Sequence, residues 1–135
     1  MPSLPKRSKS PDPRMIERVR SEVRRALAVL DDAAMSGNLA RLGQAYCGDA
    51  LTELRARFTA YQAAGIQVNP FRESLNLEIS EFSGRSLATV RLRYRDRTSF
   101  LTTEAAPSTA NEPVQLRMVI DCQGEPWRVT SIAEE

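Results

Sequence analysis

The sequence predicts an α+β domain in which one long and two shorter N-terminal helices pack on one face of an antiparallel sheet of about four strands. Two observations carry that expectation. Apolar residues recur at helical spacing from residue 13 to about residue 64, and at every second position from about residue 75 onward. Helices grouped first and strands grouped second are the pattern of helices segregated to one side of a sheet.

Residues 1–12 hold three prolines and three serines, show no periodicity, and read as a flexible basic leader, which leaves 13–135 as a single domain. Asp12 followed by Pro13 is an N-cap followed by a first-turn proline. From there Met15, Ile16, Val19, Val23, Ala26, Leu27 and Leu30 fall in one arc of a helix, with Ala33 and Ala34 extending it. Arg14, Arg18 and Arg25 project from the other side. Glu17 and Glu22 are placed to pair with Arg20 and Arg18, while Asp31 and Asp32 stand unfavourably near the C-terminal end of the helix dipole.

The "SGN" at 36–38 stops this helix, with Gly37 as its left-handed cap and Asn38 as the cap of the next. "LARLGQAY" reads as a short helix with Leu39, Leu42 and Tyr46 on one side. Asp49 reads as the N-cap of a third helix, whose apolar side is Leu51, Leu54, Phe58 and Tyr61. Gly65 and Pro70 end the helical half.

In the second half, Leu75, Leu77 and Ile79 form one inward set, and "SGR" a turn. Ala88, Val90, Leu92 and Tyr94 form the next inward set, with Thr89, Arg91, Arg93 and Arg95 outward. "TSFLTT" reads as a continuation of that strand past a bend, and 104–112 as a polar loop. Val114, Leu116, Met118 and Ile120 then point inward, with Gln115, Arg117, Val119 and Asp121 outward. "CQGEP" turns the chain into the last strand, where Trp127, the only tryptophan, is expected to be buried against the stripe of the first helix.

The charge is uneven. Residues 1–25 carry eight Lys or Arg against three acids, and the rest eleven Arg against fourteen acids. The plain reading of the basic end is a solubilising leader; the sharper one is a tail for acidic partners. There is no histidine, which removes Ser-His and Cys-His catalysis and histidine metal sites. Cys47 and Cys122 are far apart and read as small buried hydrophobes in a reducing compartment. No apolar run approaches the roughly 20 residues that span a bilayer, and no secretory signal is recognisable, so the cytoplasm is the expected location. A soluble piece of a longer membrane protein would look the same.

"ALAVLDDAAMSGNLARLGQAYCGDAL", "ATVRLRYRDR" and "GEPWRVTSI" together resemble the nuclear-transport-factor-two-like superfamily, over roughly residues 14–133. The resemblance implies a curved, cone-like sheet wrapped around the long helix, with a pocket at its open end that members use for isomerase, dehydratase or hydrolase chemistry, or fill with side chains. It also implies that many members pair sheet to sheet. Within that superfamily, "SGNLARLGQAYCGDALTELRARFTAYQAAG" is similar to the non-enzymatic terminal domains of plastid and cyanobacterial division proteins.

Three functions are compatible with this pattern. An isomerase-like or dehydratase-like enzyme would have to use carboxylates and tyrosines, the candidates being Tyr46, Tyr61, Tyr94 and Asp121. Each has a simpler reading: the tyrosines as core residues with their hydroxyls at a rim, and Asp121 as an outward residue beside a turn. A nucleic-acid binder would use Arg14, Arg18 and Arg25 together with Arg91, Arg93, Arg95 and Arg97, but those faces lack stacking aromatics apart from Phe100. The favoured reading is a non-catalytic binding or scaffold domain for a protein partner or a small hydrophobic ligand. Its expected binding surface is Arg14, Arg18, Arg25, Arg91, Arg93, Arg95 and Arg117, and a second copy could pair through the sheet face. No cofactor, metal or nucleic-acid partner is expected.

Overall fold

The computed structural model describes residues 12–83 and 86–135. The expected leader, apart from Asp12, and most of the expected "SGR" turn lie outside the described residues.

Helix α1 spans Pro13–Ser36. It begins where the sequence says, because the Asp12 Oδ1 accepts the Arg14 N–H at 2.8 Å and proline fills the first turn. It ends at Gly37, whose φ of 77° is the left-handed conformation and whose N–H reaches the Ala33 carbonyl. A 3-10 helix follows at Leu39–Gln44, then helix α2 at Gly48–Ala63. Two expected caps are corrected. Asn38 holds the cap position of the 3-10 helix but makes no side-chain capping bond. Cys47, not Asp49, is the cap residue of α2, and Asp49 lies inside the first turn, where its carboxylate favours the helix dipole.

Among the described residues seven strands follow, rather than about four. They are β1 at Gln67–Asn69, β2 at Arg72–Ser83, β3 at Leu87–Asp96, β4 at Ser99–Leu101, β5 at Ser108–Thr109, β6 at Glu112–Asp121 and β7 at Arg128–Glu134. The main sheet has the order β2-β3-β6-β7, all antiparallel, and a small second sheet has the order β1-β4-β5. The stretch expected to prolong β3 therefore supplies the middle strand of the small sheet instead, and the expected loop at 104–112 contains β5.

Between β3 and β6 the register is unbroken from Leu87 opposite Asp121 to Asp96 opposite Glu112. Strand alternation holds there, so Ala88, Val90, Leu92, Met118 and Ile120 are all buried. Strand β2 departs from the expectation. Ser74 has a φ of 58°, and the register shifts between Glu73 and Asn76. This bulge moves Leu75 out of the inward set, leaving it 40% exposed. Leu77 and Ile79 remain inward, opposite Leu92 and Val90.

Helix α1 lays Val19, Val23, Ala26, Leu27 and Ala33 into the core. Residues 45–47 are stitched to β7 by two backbone hydrogen bonds between Ala45 or Cys47 and Val129. The charges of α1 meet the local expectation in part. Arg20 reaches the Leu77 carbonyl at 3.4 Å rather than Glu17, while Glu22 pairs with Arg25 at 2.9 Å and with Arg18 at 3.8 Å. Asp31 and Asp32, unfavourable for the helix dipole, meet Arg72 at 2.9 Å and Arg41 at 2.7 Å. The Arg41 contact is ionic rather than a directed hydrogen bond.

Trp127 is 4% exposed and belongs to the core cluster with Val19 and Val23. Its contact with α1 is not wholly apolar. The Arg18 guanidinium lies 3.9 Å over the ring, held by Glu125 at 2.6 and 2.7 Å, and Arg25 donates to the Trp127 carbonyl at 2.8 Å.

Trp127→Ala is expected to lower the unfolding free energy in urea by roughly 3–5 kcal/mol through cavity formation. Asp12→Ala is expected to cost about 1 kcal/mol by loss of the cap, so removal of residues 1–12 should cost that much and removal of 1–11 should not.

Candidate functional site

Helices α1 and α2 cover only part of the inner face of the main sheet. Between the helices and the uncovered end of the sheet lies an open cavity of about 630 Å³. Its apolar wall comes from Leu27 and Leu30 of α1, Leu54 and Phe58 of α2, and Leu116 and Met118 of β6. The small sheet closes one side with Val68 and Phe100. Phe100 lies 5.7 Å from the ring of Tyr61, which lies 6.1 Å from Phe58. A cavity of this size is in the usual range for small-molecule sites, about 300–1,000 Å³.

One ion pair stands in the wall. Arg72 is opposite Asp96 in the sheet register and so shares its inward face. Its Nη1 donates to Asp31 Oδ2 at 2.9 Å, and the guanidinium carbon is 5.6 Å from the centre of the Tyr94 ring. Burial alone would lower the Arg72 pKa, but the hydrogen bond and charge of Asp31 outweigh it and hold the guanidinium above its ordinary value. The Tyr94 hydroxyl is pushed up by burial, which the nearby Arg72 offsets only in part. Asp31 Oδ1 is buried and makes no hydrogen bond among the described residues. The pair also separates the cavity from a shallower outer groove bounded by Arg24, Ala28, Phe71 and Leu75.

Of the four tyrosine and carboxylate candidates, the fold brings two together. Tyr61 and Tyr94 both line the cavity. Tyr46 is fully buried behind it, where its hydroxyl donates to the Ala26 carbonyl at 2.7 Å and burial holds it well above the ordinary phenol pKa. Asp121 ends β6, and its Oδ1 accepts the Gln123 N–H at 2.9 Å, which makes it a turn residue. Neither lines the cavity.

The arginine candidates form no single surface. Arg14 is exposed at the start of α1. Arg18 and Arg25 are engaged with Trp127, Glu125 and Glu22. Arg91, Arg93, Arg95 and Arg117 lie on the opposite layer, the outer sheet face, where Arg91 pairs with Glu135 at 2.8 Å and Arg95 donates to Asn111 at 3.0 Å. Arg91 and Arg117 stand directly opposite each other. Cys47 and Cys122 form no disulfide and are half-buried rather than buried as expected; the Cys122 thiol donates to the Ile120 carbonyl at 3.7 Å, and burial pushes it up, away from the reactive thiolate.

Sequence reasoning assigns no site role to Arg72, Asp31 or Asp96, and marks Asp31 only as unfavourable for the helix dipole. Arg72 follows Pro70 at the ragged start of β2, Asp96 ends β3, and Asp31 lies in the last third of α1, so no periodicity marks them as inward.

Replacing Arg72 with Ala strands Asp31, and replacing Asp31 with Ala strands Arg72. Each single variant is therefore expected to be destabilised more than its share in the double variant, with a coupling of roughly 1–2 kcal/mol in a urea double-mutant cycle. Zero coupling would mean the pair is not formed.

No family model matches the sequence, and no curated protein does. Several solved structures match the fold. The intermembrane-space region of the chloroplast protein ARC6 superposes with a TM-score of 0.72 at 14% identity, over 93% of this chain and 97% of that one. A structure from Catenulispora acidiphila gives 0.58 at 14% identity, over 90% and 93%. The β subunit of benzoate 1,2-dioxygenase from Burkholderia mallei gives 0.55 at 17% identity, over 93% and 91%. The narrower sequence likeness to a plastid division domain is thus met by one of these structures. At such identities the likeness establishes the fold alone: the chain has the α+β fold that these structures share, in keeping with the resemblance read from the sequence.

Proposed function

We propose that the chain is a non-catalytic binding domain that takes a small hydrophobic ligand, or an apolar segment of a protein partner, into the cavity beneath α1 and α2. The observation that carries this reading is the cavity itself, open to solvent and lined by apolar side chains of both helices and both sheets with charged groups set among them. Its polar groups suit holding better than proton transfer. A general base works best with a pKa near the working pH. Arg72 is held charged by Asp31, and Tyr94 is held protonated by burial.

The arginines give less support to a nucleic-acid track, since they are divided between two layers and several are tied to acids or to Trp127. Two of the similar structures are a region of a chloroplast protein and a subunit of an oxygenase, which is in keeping with a domain that works as part of something larger. A partner or second copy on the outer sheet face is compatible with an occupied cavity. The cytoplasmic location expected from sequence is part of the same proposal. No helix of the described residues is long and apolar enough to cross a membrane.

Leu116 is half-buried and faces the cavity, so Leu116→Trp would place an indole in the open space. Titration of the neutral dye Nile red, followed by fluorescence, is expected to show saturable binding to the natural chain and at least roughly tenfold weaker binding to the variant. Equal binding by a folded variant would reject the cavity as the site.

A further inference from the structure

We infer that the cavity selects an organic cation, a protonated amine or quaternary ammonium carried on an apolar stem. This rests on the binding reading above and adds the ligand's chemistry to it. The first observation is charge. Five carboxylates and two guanidiniums line the cavity, although the whole chain carries +2. Asp31 is neutralised by Arg72, and the charges of Glu53 and Arg57 cancel in the sum, although the two form no ion pair among the described residues. Asp96, Glu112 and Glu134 remain, and none of the three forms an ion pair among the described residues.

The second observation is independent of the tally. Asp96 and Glu112 are direct cross-strand partners on the inward face. Like charges directly opposite in an antiparallel pair are destabilising. Arg72, the neighbour of Asp96 on the other side, directs its hydrogen bond to Asp31 instead. Asp96 Oδ1 accepts the Thr98 N–H at 3.0 Å, but neither acid has a cationic partner among the described residues, so two like charges face each other at the end of the cavity, an arrangement that a bound cation would relieve.

The third is the aromatic wall. Phe58, Tyr61 and Phe100, three of the chain's eight aromatic residues, form a chain of tilted rings along the same cavity. Ring faces attract cations, and more strongly where water is excluded. Among the described residues no three acidic or thiol side chains converge closely enough to ligate a metal ion, so the spread of the carboxylates suits a larger, softer cation. A fatty carboxylate of the same shape would meet repulsion from all three acids.

A free amine and a lysine side chain present the same group, so the test carries both sources. Isothermal titration at pH 7 with decyltrimethylammonium, decylamine, decanol and decanoate is expected to rank both ammonium compounds first and decanoate last. A Leu-Leu-Lys tripeptide amide that displaces decylamine identifies a peptide source; failure to displace it identifies a free amine. The triple variant Asp96→Asn, Glu112→Gln, Glu134→Gln is expected to weaken the ammonium compounds by roughly tenfold in total and to leave decanol unchanged. Decanoate binding as tightly as decylamine, or an unchanged ammonium affinity in the triple variant, overturns the cation while decanol binding keeps the pocket. Binding of none of the four, decanol included, sinks the pocket and the cation together.

Discussion

Val19 and Val23 are fully buried because α1 lies across the inner face of the main sheet, and everything else in the domain is arranged around that contact. A helix with one apolar stripe and a sheet with one apolar face cannot hide those surfaces separately. The last strand secures the match. Trp127 enters the core from the start of β7, and Arg18 covers the outer side of its ring while Glu125 holds the guanidinium in place. The arginine works by packing its flat face on the indole as much as by its charge.

The cavity follows from how far that contact extends. One end of the sheet, with Ala88, Val90, Ile120 and Val129, is filled by α1 and by the junction around Tyr46. The other end, with Tyr94, Val114, Leu116 and Ile132, projects past the helices and is enclosed only partly by α2 and the small sheet. A buried ion pair has to be justified against the cost of removing two charges from water. Here Arg72 and Asp31 are only partly buried, which lessens that cost and lets them serve as wall rather than core.

The fold was legible where local chemistry and tertiary packing agree. The start and stop of α1 rest on Asp12, Pro13 and Gly37, and each does in the structure what its side chain or its absence favours. The parity of β3 and β6 was legible for the same reason, because no irregularity interrupts it. Leu75 was misplaced since nothing in "RESLNL" announces a left-handed serine. The small sheet was missed because strands of two or three residues leave no periodic trace. Tyr61 and Tyr94 could be found as inward tyrosines, whereas Arg72, Asp31 and Asp96 depend on pairings between distant parts of the chain. The charged side chains least readable from pattern are therefore the ones that shape the cavity.

Strand β2 bounds the main sheet on one side, and its outer backbone would offer any extended chain a ladder to join. Two register shifts along it, beside Ser74 and again after Ile79, break that ladder into short pieces that no straight strand can follow. The irregularity that exposes Leu75 thus also discourages edge-to-edge growth, so a large apolar residue can sit beside an open margin without inviting fibre-like association.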